Sequence, residues 1–332
     1  MSAAPRRARL RALAKINLGL RVLPKRADGF HELRTVFQTI SLADTLDVEF
    51  EPSRRTVIEL TGCDDIPDNL VARAARAALD AMKLTGKVRF HLTKRIPMGA
   101  GLGGGSSDAA AVLLALPVLA GRELALQELV ALGAQLGSDV PFFFLGGTAL
   151  GLGRGTELYP LPEMPAEPLV LLAPAIHVST AEAYRALGRE FSSPRSGLTC
   201  DVEQNMIDSF QSRFWLAGAG SSTGGPTGVL GNDFEDVVFD RHPELRTLKR
   251  KLLRLGARAA MMTGSGSALF GIFDSRKDAA RVLPSFGRGQ AFTVSMVSRA
   301  RYRAMWVRQM AAHCVGRIWP LRSRYLRKCT IA

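Results

Sequence analysis

Ile96-Pro97-Met98-Gly99-Ala100-Gly101-Leu102-Gly103-Gly104-Gly105-Ser106-Ser107-Asp108-Ala109-Ala110-Ala111 is the stretch on which the reading of this chain turns. Five glycines fall between Gly99 and Gly105. Glycine lets backbone amides approach a ligand closely, but it loses more conformational freedom on ordering than any other residue. Two serines and an aspartate follow, then an alanine-rich apolar run to Leu116. Serine and aspartate favour helix N-caps, so a helix is expected to start at Ser106 to Asp108. A glycine loop that feeds a helix N-terminus is an anion site, because its free N–H groups and the helix dipole both favour phosphate.

Three local readings of the loop compete. It is not a P-loop, since no Gly-Lys-Ser/Thr follows a four-residue spacer. It does match G-x-G-x-x-G at Gly99, Gly101 and Gly104, with Glu123 about twenty residues on, as a dinucleotide fingerprint asks. No clear strand places Glu123 beside a ribose, however, and several strands precede the loop where a doubly wound series would alternate. The third reading is a phosphate cradle in which Ser106 and Ser107 offer hydroxyls to phosphate or Mg²⁺.

Upstream, Lys15-Ile16-Asn17-Leu18-Gly19-Leu20-Arg21-Val22 alternates strictly and reads as a half-buried strand, with Lys15 and Asn17 on the face opposite Ile16, Leu18, Leu20 and Val22. Pro24 to Leu33 reads as a polar loop turning at Asp28-Gly29, with Phe30 and His31 side by side. Such a pair anchors a loop or sandwiches a nucleobase. An amphipathic helix is expected over 69–84, capped by Asp68 or Asn69, and a strand over 88–93. Downstream, a helix over 125–136 ends at Gly137. Asp139 then reads equally as the N-cap of a new helix or as a carboxylate held in an apolar setting beside Val140 and Phe142 to Phe144, where a base can be kept partly desolvated. A helix is expected from Ser179 or Thr180 through Tyr184. Further helices are expected from Asn232, from Pro243 to Leu255 and from Asp274 to Leu283, with a mobile loop over 218–231. Ala259 to Gly271 reads as strand, glycine turn at Gly264 to Gly266, strand.

The chain has 332 residues, 47% of them hydrophobic, enough for one large or two ordinary cores. Its four cysteines, Cys63, Cys200, Cys314 and Cys329, form no CxxC pair, which points to reduced thiols and a cytoplasmic protein with neither disulfide framework nor zinc site. No segment is apolar for long enough to span a bilayer. The net charge of +14 is concentrated at the ends: nine Arg or Lys and no acid lie from Arg299 to Ala332, and five more in the first fifteen residues. A solvated basic appendage is the expectation for the tail, and nucleic-acid binding the alternative.

Taken together, the glycine stretch, Ala14-Lys15-Ile16-Asn17-Leu18, Asp28-Gly29-Phe30-His31-Glu32-Leu33, Gly137-Ser138-Asp139-Val140-Pro141-Phe142-Phe143 and Gly264-Ser265-Gly266 resemble, in that order, the motifs of the GHMP kinase superfamily. The resemblance runs from about Leu10 to Val297. It implies an α+β, two-domain GHMP kinase fold: an N-terminal ribosomal-domain-like α/β sandwich over 1–162, a C-terminal ferredoxin-like α+β domain over 163–302, and a basic tail over 303–332 whose role it leaves open. Within the superfamily, the Gly-Gly-Gly-Ser-Ser run and the Asp-Gly-Phe-His loop resemble the branch that phosphorylates a cytidine-diphosphate ester of methylerythritol in non-mevalonate isoprenoid synthesis. Homoserine or mevalonate kinases are the alternatives.

The resemblance implies that Asp139 is the base and Lys15 its charge-neutralising partner. Pro97, Gly99, Gly101, Gly103, Gly104, Gly105, Ser106 and Ser107 would hold ATP, with Asn69 on the adenine side. Asn17, Phe30, His31, Tyr184, Gly264 and Gly266 would bind the acceptor, with cytosine between Phe30 and Tyr184 and its edge on His31. Mg²⁺ would arrive on ATP or meet Ser107. No protein or nucleic-acid partner is implied. Phe30 stands where the family usually has tyrosine, so stacking survives but a hydroxyl hydrogen bond does not. Deleting residues 303–332 is expected to leave a kinase active.

Overall fold

The computed structural model describes residues 4–26, 29–63, 66, 68–188, 231–287 and 289–326. Asp28 of the predicted turn and all but Gly231 of the loop over 218–231 lie outside them. Two long strands dominate: β1 (Arg6–Lys25) and β2 (His31–Pro52) pair antiparallel along nearly their whole length. The strand expected over 15–22 is therefore only the middle of β1, and register shifts flank Lys15 and Asn17. β2 pairs with β4 (Gly86–Thr93) through its second half and with β5 (Thr148–Leu152) through its first. β3 (Val57–Thr61) adds the one parallel pair, against β4, and β6 (Glu157–Pro160) closes the other edge. This mixed sheet is not doubly wound, and Glu123 faces solvent beside Arg322 at 3.4 Å, which removes the dinucleotide reading.

Helix α1 (Leu70–Ala81) is capped by Asn69, whose Oδ1 accepts from Val71 N at 2.9 Å. α2 (Gly104–Ala120) starts inside the glycine run, earlier than expected. Gly103 is its N-cap with φ +67°, no side chain caps it, and Ser106, Ser107 and Asp108 sit in its first turns. From Ser107 to Leu119 every residue is buried, so α2 is the central core helix, with α3 (Leu126–Leu136) and the four-residue α4 (Phe142–Leu145) packed nearby.

A second sheet has the order β10 (Ala291–Ser295), β7 (Pro168–Leu172), β9 (Leu269–Ile272), β8 (Ala259–Met262), all antiparallel. It carries α5 (Thr180–Leu187), α6 (Phe234–Arg241), α7 (Pro243–Arg254) and α8 (Arg276–Val282). The two sheets are joined through β1 and the glycine loop. Thr263 Oγ1 accepts from Asn17 N at 2.9 Å, and Ala268 N donates to Ala100 O at 3.3 Å. Gly101, at φ +78°, lies so close to this second domain that a Cβ there would sit 2.5 Å from Thr263 O.

The basic end is not an appendage. α9 (Arg299–Gln309) and the chain to 326 return to the first domain, where Tyr302, Trp306, Met310, Cys314 and Leu321 are buried in the same core as α2. Charge density hid an apolar stripe at 302, 306 and 310.

Candidate active site

Lys15 is 4% exposed, yet its ammonium has two acceptors: Asp139 Oδ2 at 3.2 Å and Asn17 Oδ1 at 3.0 Å. A buried ammonium needs such pairing to stay charged. Asn17, 1% exposed, donates from Nδ2 to Thr35 Oγ1 at 2.7 Å and accepts from Thr263 Oγ1 at 3.1 Å. These bonds tie Lys15 and Asn17 of β1 to Thr35 of β2 and to the Thr263 turn. Asp139 is no N-cap: Pro141 occupies the cap of α4, with no side-chain bond. Its setting is also less apolar than expected. Phe142, Phe143 and Phe144 point into the core, while the Asp139 carboxylate is 30% exposed.

That carboxylate opens into a cavity of about 770 Å³ lined by Lys25, Phe30, His31, Arg154, Tyr184 and Arg185, among others. The glycine loop lines a second cavity of about 440 Å³, from Pro97 through Ser106, with Asn69, Lys94 and Asp108. Ser106 belongs to both. Two concavities therefore meet at Ser106, one rich in glycine amides at the start of a helix and one presenting a carboxylate held by a lysine.

Other expected site residues fall differently. Ser107 is turned away: it is 2% exposed, its Oγ donates to Leu13 O at 2.7 Å, and it lines neither cavity. Gly264 and Gly266 also line neither; Gly264 packs on Gly101 and beside Asn17, supporting the loop instead of facing a ligand. Phe30 and Tyr184 do line the larger cavity, but each already has a partner. The Arg154 guanidinium lies 3.5 Å from the Phe30 ring centre, and Tyr184 stacks on His31 at 5.1 Å with Phe234 against its edge. Burial, with the Asp139 charge adding to it, pushes the Tyr184 hydroxyl up to about 12, so it remains a donor. The loop bearing Phe30 is tied to Arg154's turn by Leu33 N to Gly153 O at 2.6 Å and Gly153 N to Glu32 Oε1 at 3.0 Å.

Sequence reasoning missed Lys25, Arg154 and Arg185, three cations around the larger cavity, and a buried charge cluster beneath the smaller one. In that cluster Lys94 Nζ bonds both Asp44 and Asp108, the latter at 2.8 Å. Asp44 Oδ1 also takes Arg95 N and Ile96 N at 2.6 and 2.8 Å, pinning the chain as it enters the glycine loop. Asp108 Oδ1 is buried without a hydrogen-bond partner among the described residues. Burial chiefly, opposed by Lys94 and reinforced by Asp44, pushes the Asp108 carboxyl up to about 7. The folded state thus holds a proton that the unfolded chain loses near its ordinary value of 3.8, so this contribution to stability is full below about 4 and is lost as pH rises through about 7. Thermal unfolding of the wild type is expected at lower temperature at pH 8 than at pH 6, and Asp108→Asn is expected to narrow that gap; an unchanged gap would sink the assignment.

A glycine-lined cavity abutting a lysine-held carboxylate is the arrangement of a small-molecule kinase, and the comparisons agree. Residues 69–147 match the GHMP kinases N terminal domain and residues 214–289 the GHMP kinases C terminal. The fold is that of a GHMP kinase. A 4-diphosphocytidyl-2-C-methyl-D-erythritol kinase of Solibacter usitatus is 59% identical over 320 residues, 96% of this chain and 98% of that protein. One from Moorella thermoacetica is 42% identical over 82% of this chain and 92% of its own length. A crystal structure of 4-(cytidine 5'-diphospho)-2C-methyl-D-erythritol kinase superposes with a TM-score of 0.69 at 38% identity, covering 87% of this chain and 98% of that one. The chain belongs to the 4-diphosphocytidyl-2-C-methyl-D-erythritol kinase family. Homoserine kinase from Cytophaga hutchinsonii, at 19% identity and a TM-score of 0.58, shares the fold.

Proposed function

We propose that the chain transfers the γ-phosphoryl group of ATP to the 2-hydroxyl of 4-diphosphocytidyl-2-C-methyl-D-erythritol, a step of non-mevalonate isoprenoid precursor synthesis. The observation that carries this is the Lys15–Asp139 pair, 3.2 Å apart, whose carboxylate lines the larger cavity that meets the glycine-lined one at Ser106. Phosphoryl transfer asks a protein mainly for positioning and charge neutralisation. In the proposed mechanism the α2 N-terminus and the glycine amides hold the triphosphate in the smaller cavity, and Asn69 lies on its adenine side. The acceptor occupies the larger cavity, with its 2-hydroxyl at Asp139. Asp139 accepts the hydroxyl proton as the oxygen attacks, and Lys15 holds the carboxylate in place and offsets charge on the transferring group. Asn17 positions Lys15. Lys25, Arg154 and Arg185 face the acceptor's diphosphate.

Among the described residues no three His, Cys, Asp or Glu side chains converge on a metal position. Mg²⁺ would arrive with ATP, with Ser106 the serine that lines the glycine cavity beside it, and would supply charge neutralisation to the phosphates, in keeping with its preference for few protein ligands. Among the described residues no helix is long and apolar enough to cross a membrane. The substrate is a small molecule, and the proposed setting is the cytoplasm, with no obligate partner.

His31 sets base selectivity in this proposal. Its Nδ1 lies 3.2 Å from Leu23 O, which can only accept, so Nδ1 carries a proton and Nε2 is assigned the acceptor role toward the base. An acceptor suits the exocyclic amine of cytosine and repels the carbonyl of uracil. His31→Ala is expected to raise KM for the cytidylyl substrate roughly tenfold, the order of one good hydrogen bond, while KM for ATP stays put. Equal effects on both constants in a coupled ADP-release assay would refute this assignment. The same assay with homoserine and mevalonate tests the substrate class.

A further inference from the structure

Away from both site cavities, and sharing no residue with them, a third concavity of about 340 Å³ lies between β1, β2 and α9. It is lined by Arg11, Arg301 and Arg308, by Ser41, and by an apolar floor of Leu13, Val297, Ala304 and Met305; no carboxylate is among its lining residues. On α9, Arg301, Ala304, Met305 and Arg308 follow the i, i+3, i+4, i+7 pattern of one helix face. Arg301 and Arg308 are about 10 Å apart along the axis at 1.5 Å per residue, with the small Ala304 between them leaving the hollow.

The charges of this hollow lack the carboxylate partners that several other surface arginines have. Arg7 pairs with Glu49, Arg9 with Asp47, Arg246 with Asp240 and Arg299 with Glu163. Among the described residues the Arg11 guanidinium donates only to the neutral Ser41 carbonyl, at 3.2 Å, and those of Arg301 and Arg308 have no acceptor. The helix is short of acceptors in its buried parts too: Arg299 Nε, Arg303 Nε and Gln309 Nε2 are buried donors without partners. Three guanidinium groups around one hollow form a site for a multiply charged oxyanion, since each offers a fork matched to phosphate oxygens.

We propose that this hollow binds a small organic diphosphate whose organic part is short and apolar, with the arginines on the phosphates and the chain on Leu13, Val297 and Met305. Its volume lies at the lower end for small-ligand pockets. It has no aromatic platform for stacking bases, which argues against single-stranded nucleic acid as the occupant.

The full-length chain, with a non-hydrolysable ATP analogue and cytidine diphosphate saturating the site cavities, should be titrated calorimetrically with inorganic pyrophosphate and with pentyl diphosphate. Both are expected to bind, pentyl diphosphate at least fivefold more tightly because methylenes leave water, and 0.5 M chloride should weaken both. R301A/R308A should cut affinity at least tenfold while kinase activity and Tm stay at wild-type values, because both side chains are exposed and unpaired. Ala304→Trp, which fills the hollow and keeps every charge, should abolish binding. The proposal is overturned if neither diphosphate binds, if either variant binds like wild type, or if RNA binds through these arginines while the diphosphates do not.

Discussion

Asp139→Asn is expected to lower kcat by about a hundredfold or more, the lower range for loss of a general base, while KM for ATP changes little. The argument rests on how little else the substitution disturbs. An asparagine Oδ1 can still accept from Lys15 Nζ, now 3.2 Å from Asp139 Oδ2, so the buried ammonium keeps an acceptor there as well as on Asn17. The residue caps no helix and, among the described residues, makes no other hydrogen bond, so folding is expected to survive. What disappears is the capacity to take a proton from the attacking hydroxyl and the charge opposite Lys15. Lys15→Met is the complementary change: it leaves Asp139 facing the cavity without its partner and removes a positive charge from the transfer path, and it should also lower kcat. A loose transition state leaves much of catalysis to positioning, so a drop of less than tenfold in Asp139→Asn would demote the carboxylate from base to positioning group. Single-turnover measurement with saturating ATP separates the chemical step from product release.

The parts of this molecule legible in the sequence are the local ones. The glycine loop can be read because close amide approach and helix initiation depend on adjacent residues, although the helix begins at Gly104 and not at the serines. Asn69 as a cap and the Gly264 turn are legible for the same reason, and Lys15 and Asn17 do share a face, but β1 is not half-buried there: both of its faces are covered from Ala12 to Leu20, with a register shift after Asn17. The meeting of Lys15 with Asp139 comes from topology: β1 must cross the sheet and α4 must turn at Pro141, and no spacing in the chain encodes that. Only the resemblance to a kinase family joined them beforehand. Asp44, Lys94 and Asp108 come from three separate elements, and Asp108 has an ordinary capping role to read into it, so nothing marked the cluster. Arg154 was hidden by its place in a glycine-rich turn that reads as plain connector.

The largest structural effect is expected at the basic end, where charge masked packing. Trp306 is 1% and Tyr302 2% exposed, each edge-on to Trp319 at about 6.4 Å between ring centres. Tyr302 Oη donates to Phe143 O at 2.6 Å and Trp319 Nε1 to Phe144 O at 2.8 Å, so the tail takes up carbonyls of the helix that follows Asp139. Gly146 and Gly147 are the floor for this docking: a Cβ would come within 2.3 Å of the Tyr302 ring at Gly146 and within 2.6 Å of Arg299 N at Gly147. Trp306→Ala should therefore cost about 3–5 kcal/mol of unfolding free energy, the usual range for emptying a buried aromatic site, read from denaturant midpoints. Truncation after Ser298 removes Tyr302, Trp306, Met310 and Leu321 together and uncovers α2 and α4, so the shortened chain should be insoluble or inactive. This reverses the expectation that a kinase would outlive the loss of a solvated tail. A truncated protein with wild-type turnover and Tm would return residues 299–332 to that status, whereas loss of activity in parallel with loss of cooperative unfolding makes the C-terminal segment part of the domain that carries Asp139.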